Sequence, residues 1–350
     1  MYDIAIVGAG PAGAIFAKTL AEKNTELKIL LIDGSEDVKK VCGGLLSPSA
    51  QKQLAMLGLT LPTSILENPQ IFSVDVIDLG KNCKRHYSRQ YINMDRQSFD
   101  GWLLSLVPDS VKILKGRCLD IQRSENEYTL TVKSSGAAEK FTAASVAGAD
   151  GGSSVVRRSL FDKKIYHYAS IQEWYKISDE RLPSYSCIYD RETSDNCSWT
   201  IRKGDYFIFG GSFVRNGCRE SFEKQKKQLE KYLGIEFGEP VKKEACLLTN
   251  PKRAGDILCG KPGAYLLGEA AGFITADSFE GISSALHTGR MLGEAFAEGK
   301  NHEDILKIYK AKTQKQRRKI RYRIFKMRLL CSPTFRHLIM KSGIKSFKPY

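Results

Sequence analysis

Several common patterns are missing from this 350-residue sequence. It has no run of eighteen or more apolar residues, so it predicts no membrane-spanning helix. Its nine cysteines form no C-x-x-C pair and have no metal-like spacing, which favours reduced thiols over a disulfide framework or a zinc site. A strand is predicted from about Tyr2, which leaves no room for a signal peptide. We therefore expect a cytoplasmic protein without a bound metal.

Acidic residues are absent from the C-terminal part of the sequence. Residues 305–350 contain nine lysines, six arginines and no aspartate or glutamate, whereas the other 39 basic residues are balanced by 39 acidic ones. The net charge of +15 therefore lies entirely in this segment. Residues 301–350 are predicted to form a basic helical tail.

This tail combines basic and apolar residues at helical spacing over residues 307–328, which is typical of helices that lie on an anionic membrane. Each basic residue near such a surface contributes roughly 1 kcal/mol. Two alternatives stay open: a solvated helix packed on the protein, and a nucleic-acid contact through phosphate. Because no nucleic-acid reading motif is present, we predict an anionic membrane surface, at the inner face, and no specific nucleic acid.

The first 33 residues have the order strand, glycine-rich turn, helix, strand and acid. In a dinucleotide site the first glycine makes a tight turn, the second lets the backbone approach a pyrophosphate, and the third allows close packing of helix and strand. The acid accepts hydrogen bonds from a ribose. The alternative is a tight turn that binds nothing. The residues in these positions are Gly8, Gly10, Ala12, Gly13 and Asp33.

Two later strands also end at an acid beside glycines. In residues 148–157 an arginine follows and can offset the charge of a diphosphate. In residues 268–282 the carboxylate can bind a ribityl hydroxyl, and a following helix can direct its positive end at the electron-rich edge of a reduced isoalloxazine. The alternatives are a turn with a surface arginine and a connection of small residues chosen for packing. The candidate residues are Asp150, Gly151, Arg157, Glu269, Ala271, Gly272, Gly281 and Ile282.

Together the three motifs resemble the flavoprotein family that includes geranylgeranyl reductases and aromatic-ring hydroxylases. The resemblance covers almost the whole chain and implies FAD as the cofactor. It implies that the first motif binds the ADP half and the third the ribityl and pyrophosphate groups. It also implies that Arg96, in an Arg-x-x-Phe-Asp run, lies close to FAD. The family usually has aspartate where this chain has Glu269.

Two segments resemble the reductase branch of this family. Cys42, Gly43 and Gly44 match a cysteine-glycine-glycine segment near the flavin, and residues 198–205, which include Trp199, match a stretch that lines the substrate cavity. The resemblance implies that Cys42 and Trp199 shape the pocket over the flavin ring. The alternatives are a buried cysteine in a glycine turn and a tryptophan that packs across strands. Within the family, the whole pattern most resembles the CbrA-type oxidoreductases of bacteria. The segments that carry this resemblance are residues 42–48, 68–74, 91–99, 206–211 and 268–274.

The resemblance implies an α/β fold with a Rossmann-like FAD-binding domain of the glutathione-reductase type. We predict that this domain is discontinuous and comprises residues 1–70, 91–165 and 255–300. Residues 71–90 and 166–254, which alternate like strands and are rich in aromatics, predict an inserted antiparallel substrate domain. The tail completes the fold as a C-terminal helical region.

The resemblance implies an FAD-dependent oxidoreductase that reduces C=C bonds of a polyprenyl-type lipid by hydride transfer from reduced flavin N5. One alternative is a monooxygenase that uses NAD(P)H and O₂ on a hydrophobic substrate. Another is a flavin-bearing protein with a binding or regulatory role at a membrane surface. Since no second glycine fingerprint is present, NAD(P)H or another electron donor is expected to dock only transiently.

Overall fold

The computed structural model describes residues 1–34, 41–177, 179 and 181–348, and these residues form two large β-sheets with helices around them. The strands β1 to β17 are, in order, Tyr2–Val7, Ile29–Asp33, Leu45–Leu46, Ile71–Asp78, Cys83–Asn93, Lys112–Lys115, Arg117–Arg123, Tyr128–Ser134, Ala137–Gly148, His167–Lys176, Tyr185–Tyr189, Cys197–Lys203, Tyr206–Phe213, Lys242–Thr249, Gly260–Lys261, Ala264–Leu266 and Ser346–Phe347. The helices α1 to α9 are Pro11–Lys23, Pro48–Met56, Arg96–Ser105, Val155–Leu160, Cys218–Leu233, Ile282–Glu298, His302–Lys312, Gln314–Leu330 and Pro333–Ser342.

The first sheet contains the N-terminal strand at its centre. Its order is β15-β16-β9-β1-β2-β6, and β1 pairs in parallel with both β2 and β9. The strands β7 and β8 extend β9 as an antiparallel meander. All five residues of β2 are buried, as expected for a parallel strand covered on both faces. This arrangement brings the carboxyl ends of β1, β2, β9 and β16 to one edge.

Helices α1 and α6 pack closely against each other because glycines line their contact. A Cβ atom on Gly289 would lie 2.5 Å from the carbonyl oxygen of Ala12, and one on Gly293 would lie 2.7 Å from the Thr19 side chain. This contact places the N-termini of the two helices near the same sheet edge. The Rossmann-like part of the predicted fold is therefore confirmed.

The second sheet has nine strands in the order β14-β10-β13-β12-β11-β4-β5-β17, with β3 also paired to β5. Its pairs are antiparallel except that of β4 with β11, which is parallel. The side covered by α5 packs an aromatic cluster that includes Phe207, Phe209, Phe222 and Phe237. The predicted inserted sheet is thus present. The boundary predicted between residues 90 and 91 falls within β5, which continues to Asn93.

The C-terminal region crosses from the first sheet to the second. Tyr309 of α7 is buried and donates a hydrogen bond to the carbonyl of Leu266 at 3.0 Å. Arg336 of α9 forms a buried ion pair with Asp78 of β4 at 2.8 Å. The chain then adds β17 to the edge of β5, a strand that the sequence did not predict. Among the described residues, no helix is long and apolar enough to cross a membrane.

Candidate functional site

A large cavity lies between the two sheets, at the edge where the parallel strands end. It contains about 1520 Å³ of free space, part of it open to solvent. Eleven of the residues selected from the sequence lie in its wall, although they come from distant parts of the chain. They are Gly10, Ala12, Cys42, Gly43, Gly44, Arg96, Gly151, Trp199, Glu269, Gly281 and Ile282.

Glycine is explained by a different structural feature at each of the three positions of the first motif. Gly8 has φ +102°, and a Cβ there would lie 2.6 Å from the carbonyl oxygen of Ala149. A Cβ on Gly13 would lie 1.8 Å from the carbonyl oxygen of Gly8, so only glycine allows helix and strand to approach. Gly10 faces open space, since no atom of the described residues lies within 4 Å of its Cβ position. The first and third glycines therefore set the packing, and Gly10 opens the turn to a ligand.

The N-terminus of α1 faces the cavity, and no side chain in the described ranges caps it. Its N-cap is Gly10 and its first residue is Pro11, which has no N–H group. The amides of Ala12 and Gly13 belong to the first turn, where the helix itself supplies no acceptor. Such amides and the positive end of the helix dipole form a favourable site for a phosphate group. A pyrophosphate fits this end of the cavity.

The N-terminus of α6 borders the same cavity. Gly281 is its N-cap, again with no side-chain cap from the residues that the structure describes, and both Gly281 and Ile282 lie in the wall. The Glu280 carboxylate accepts a hydrogen bond from the Ser283 amide at 3.2 Å, so one first-turn amide already has a partner. The positive end of α6 still points to the cavity, where it can stabilise an electron-rich group.

The three strand-end carboxylates have protein partners in this structure. Asp33 is buried and pairs with Lys115 at 2.5 Å. Asp150 accepts hydrogen bonds from the first amides of α4, at 2.6 and 3.2 Å, and burial raises its pKa. Glu269 lies in the cavity wall and accepts a hydrogen bond from the Thr249 amide at 2.9 Å. Of the three, only Glu269 borders the cavity.

Arg157 has a different position from the one expected for a residue that offsets cofactor charge. Its buried guanidinium donates to the carbonyls of Lys163, Ala270 and Asp256 at 3.1, 2.9 and 2.8 Å. Burial lowers its pKa. These bonds connect α4 to the turn that contains Ala270, behind the cavity wall.

The other selected residues that lie outside the wall are Gly8, Gly13, Asp33, Asp150, Ala271 and Gly272.

The Cys42 loop is held against the second sheet by its two glycines. A Cβ on Gly43 would lie 2.3 Å from Ile201 of β12. Gly44 has φ +66°, and a Cβ there would lie 2.2 Å from the carbonyl oxygen of Met94. The Gly44 amide donates to the Cys42 sulfur at 3.4 Å. The glycines thus place the Cys42 side chain in the cavity wall through close backbone approach.

Lys203 holds the Cys42 loop in place through hydrogen bonds. Its buried ammonium group donates to the carbonyl of Met94 at 2.6 Å, to the Asn93 side chain at 2.7 Å and to the carbonyl of Gly44 at 3.4 Å. Burial lowers the pKa of Lys203 to about 8. Lys203 belongs to the segment that resembles a cavity-lining stretch, but it acts here as a support for the wall.

Arg96 begins α3 and reaches the cavity beside the Cys42 loop. Its Nε donates to the Asp100 carboxylate at 2.8 Å. Burial alone lowers the pKa of Arg96, but the adjacent Asp100 and Cys42 raise it by more, so the net shift is upward. A permanent positive charge therefore lies next to Cys42.

The second-sheet side of the cavity is built mainly from aromatic and sulfur-containing side chains. Trp199 donates to the Gln172 side chain at 3.3 Å, and Gly210 leaves room for its indole, since a Cβ there would lie 2.6 Å from Nε1. Tyr91 and Tyr185 meet edge to face, with ring centroids 5.4 Å apart. This wall suits an apolar ligand.

Sequence reasoning did not select Tyr91 and Tyr185, although both lie in the wall. The Cys187 thiol donates to the Tyr185 hydroxyl at 3.3 Å. Burial raises the pKa of Tyr91 to about 12 and also raises that of Tyr185 well above its ordinary value. Both phenols are therefore protonated at neutral pH. The only sequence signal was the position of Tyr91 at the start of the run that leads to Arg96.

Comparison with known proteins gives relatives over nearly the whole chain. A family model described as lycopene cyclase protein matches residues 3–168. Protein CbrA of Escherichia coli O6:H1 is 40% identical over 350 residues, which cover 98% of this chain and 94% of that relative. Protein CbrA of Shigella sonnei is also 40% identical, with 98% and 97% covered.

Among solved structures, a geranylgeranyl bacteriochlorophyll reductase-like protein from Thermoplasma acidophilum has a TM-score of 0.77 at 16% identity, covering 96% of this chain and 89% of that chain. A variant of HpxO from Klebsiella pneumoniae, complexed with FAD, has a TM-score of 0.70 at 14% identity, covering 98% and 94%. These structures share the fold.

Proposed function

The chain belongs to the CbrA family, and we propose that it is an FAD-dependent oxidoreductase whose cofactor lies in the cavity between the two sheets. The observation that carries this proposal is that the N-termini of α1 and α6 border one cavity. FAD combines two electron-rich groups, a pyrophosphate and an isoalloxazine edge, that such helix ends stabilise. Gly10 and Ala12 would hold the first group, and Gly281 and Ile282 the second.

The remaining cofactor contacts follow from the positions of the strand ends. Glu269 borders the cavity and would contact the ribityl chain. Asp33, at the end of β2, would contact the adenosine ribose beside Lys115. Cys42, Gly43 and Gly44 would form the wall next to the ring, with Arg96 adjacent. Asp150 and Gly151 would support this arrangement at the end of β9.

We propose that the substrate is a polyprenyl-type lipid and that one of its C=C bonds is reduced. The aromatic and sulfur-rich wall around Trp199 supports an apolar substrate, because contact with it removes apolar surface from water. The fold shared with a reductase-like protein is consistent with this reaction. When bound and reduced, FAD supplies the hydride. NAD(P)H or another donor would reduce it transiently.

Addition of a hydride to one carbon requires a proton for the other, and we assign this proton to the Tyr91 hydroxyl. Tyr91 is half-buried in the cavity wall and stays protonated at neutral pH because burial raises its pKa to about 12. The O–H bond breaks as the new C–H bond forms, and water then reprotonates the phenolate. Tyr185 is less suited, because its hydroxyl already accepts a hydrogen bond from the Cys187 thiol.

A second candidate function is oxygen-dependent hydroxylation of a hydrophobic substrate. It is favoured by the fold shared with a probable FAD-dependent monooxygenase from Pseudomonas aeruginosa, with a TM-score of 0.71 at 17% identity. Both functions use the same cavity and cofactor. They differ in the fate of oxygen and in the mass of the product.

The deciding experiment is turnover of a polyprenyl alcohol by the purified, FAD-loaded protein. Under anaerobic conditions with a chemical reductant, we expect a product that is heavier by two hydrogens. Incorporation of labelled oxygen in air, with no anaerobic product, would replace the reductase proposal with hydroxylation. A protein that takes up no FAD would contradict both.

A pair of glycine variants tests the cofactor position. Gly10→Val adds a side chain in open space, so we expect a folded protein with FAD affinity reduced at least tenfold. The control is Gly101→Val, at a glycine whose Cβ position also has no atom within 4 Å in the described part of the chain but which lies outside the cavity wall. Titration with FAD and circular dichroism measure the two effects. Equal FAD affinity in both variants would contradict the proposal that the pyrophosphate lies at this turn.

A further inference from the structure

The outer face of α8 exposes large apolar side chains to solvent. Tyr322, Phe325 and Leu329 are 66%, 61% and 37% exposed. Their spacing of three and four residues places them on one side of the helix. Arg318 and Lys326 are exposed on the same side. We call these five residues the docking face.

The docking face is unusual in combining apolar exposure with charge of one sign. The segment from residue 305 carries the whole net charge of +15, and the exposed basic residues flank the aromatic ones. Further apolar side chains are exposed in and after α9, namely Phe335, Leu338 and Ile344. An exposed group of this kind marks an interaction surface.

The opposite face of α8 holds the helix on the protein next to the cavity. Ile320 is fully buried, and Gln316 donates to the Ser284 hydroxyl of α6 at 2.7 Å. Arg323 pairs with Asp277, a residue of the cavity wall, at 3.0 Å. The docking face is therefore fixed in orientation and lies about one helix diameter, ~10 Å, from that wall.

We propose that the docking face binds the surface of an anionic phospholipid bilayer. Aromatic and aliphatic side chains between basic ones match the boundary between acyl chains and negative headgroups. A second copy of the chain is a poorer partner, because a symmetric contact would place the same basic residues against each other. Nucleic acid would pair with the basic residues but would leave no role for Leu329. This docking does not depend on the reaction proposed for the cavity.

The test is flotation of the full-length, FAD-loaded protein with vesicles. We expect binding to vesicles that contain phosphatidylglycerol, with little binding to pure phosphatidylcholine and a decrease at high salt. The double variant Tyr322→Ser/Phe325→Ser should bind at least tenfold more weakly. Arg318→Ala/Lys326→Ala should lose about fivefold for each basic residue removed.

Matched controls lie elsewhere on the surface. Phe72→Ser removes an aromatic side chain that is 72% exposed on β4, and Lys227→Ala removes an exposed basic residue of α5. Neither should change flotation. The flavin absorption band and the unfolding transition establish that each variant is folded.

Three results would overturn the proposal. They are equal binding to neutral and anionic vesicles, unchanged binding of the docking-face variants, and concentration-dependent self-association that the same variants abolish without lipid. Flotation without lipid turnover would contradict the proposed reaction and leave the docking intact. Turnover of dispersed lipid without flotation would contradict the docking and leave the proposed reaction intact.

Discussion

The two ends of the cavity are built in different ways. The end near α1 and α6 contains the N-termini of both helices, and each of these helices has a glycine as its N-cap. The end near the second sheet presents side chains, including Tyr91, Tyr185 and Trp199. Backbone groups bind a constant cofactor with little dependence on side-chain identity, whereas side chains determine what reacts. We therefore expect substitutions to affect folding and FAD at the first end, and turnover at the second.

The largest expected effect is at Gly13. Gly13→Ala should reduce the free energy of unfolding by about 3 kcal/mol, since a Cβ would meet the carbonyl oxygen of Gly8 at 1.8 Å and the backbone must shift. Urea denaturation measures the change. Gly101→Ala, on the exposed side of α3, is the control and should be neutral or slightly stabilising. Similar stabilities of the two variants would contradict the close packing at the first end.

The next effect separates chemistry from binding at the second end. Tyr91→Phe should lower kcat for lipid reduction about 100-fold, because a positioned proton donor contributes at least that factor. FAD affinity and KM should stay close to wild type. Tyr185→Phe is the control and should change kcat much less. Equal losses in the two variants would show that the tyrosine pair acts through packing and that the proton comes from elsewhere.

The smallest effect concerns Lys203, which supports the Cys42 loop. Folding lowers its pKa from 10.5 to about 8, so between these pH values the unfolded chain binds more protons than the folded one. Stability from this group therefore rises with pH across that window, by at most about 1.4 kcal/mol per unit. Denaturation of wild type and Lys203→Met at pH 8 and pH 10 isolates the contribution.

We expect the stability difference, wild type minus Lys203→Met, to increase with pH. A difference that stays constant with pH would show that folding leaves the pKa of Lys203 unchanged, and a decrease would show that folding raises it. The variant should still bind FAD, because the lysine contacts the loop and the second sheet but not the first motif. Loss of FAD binding in this variant would show that the two ends of the cavity depend on each other, and it would contradict the difference drawn between them.

The sequence predicted the first end well because glycine spacing is a local property. Gly8, Gly10 and Gly13 lie close together in the sequence, and the close backbone approaches at Gly8 and Gly13 are those that their positions suggested. Arg157 shows the limit of this reasoning. Its spacing after Asp150 suggested a phosphate contact, but the carbonyl acceptors of Ala270 and Asp256 are about a hundred residues away, and no local pattern reveals them.

The second end was harder to predict because it depends on strand pairing. Tyr91 lies on β5 and Tyr185 on β11, and they meet only because β4 pairs with both strands. Cys42 and Trp199 were selected because their segments resemble the reductase branch of the family, and not because of the spacing of residues in the sequence. In the C-terminal region, composition predicted the helices, but β17 has only two residues, too few to produce a pattern.

The short strand β17 affects the risk that the protein aggregates while it is being produced. β17 and β3 pair with β5 on the side away from β4, where unpaired backbone groups would otherwise face solvent. An open strand edge is a template for pairing with other molecules and for aggregation. During synthesis β5 leaves the ribosome long before residue 346, so the nascent chain carries an open edge for most of its elongation. A chain that stops before β17 keeps that edge, and truncation there is a risk to solubility as well as to the fold.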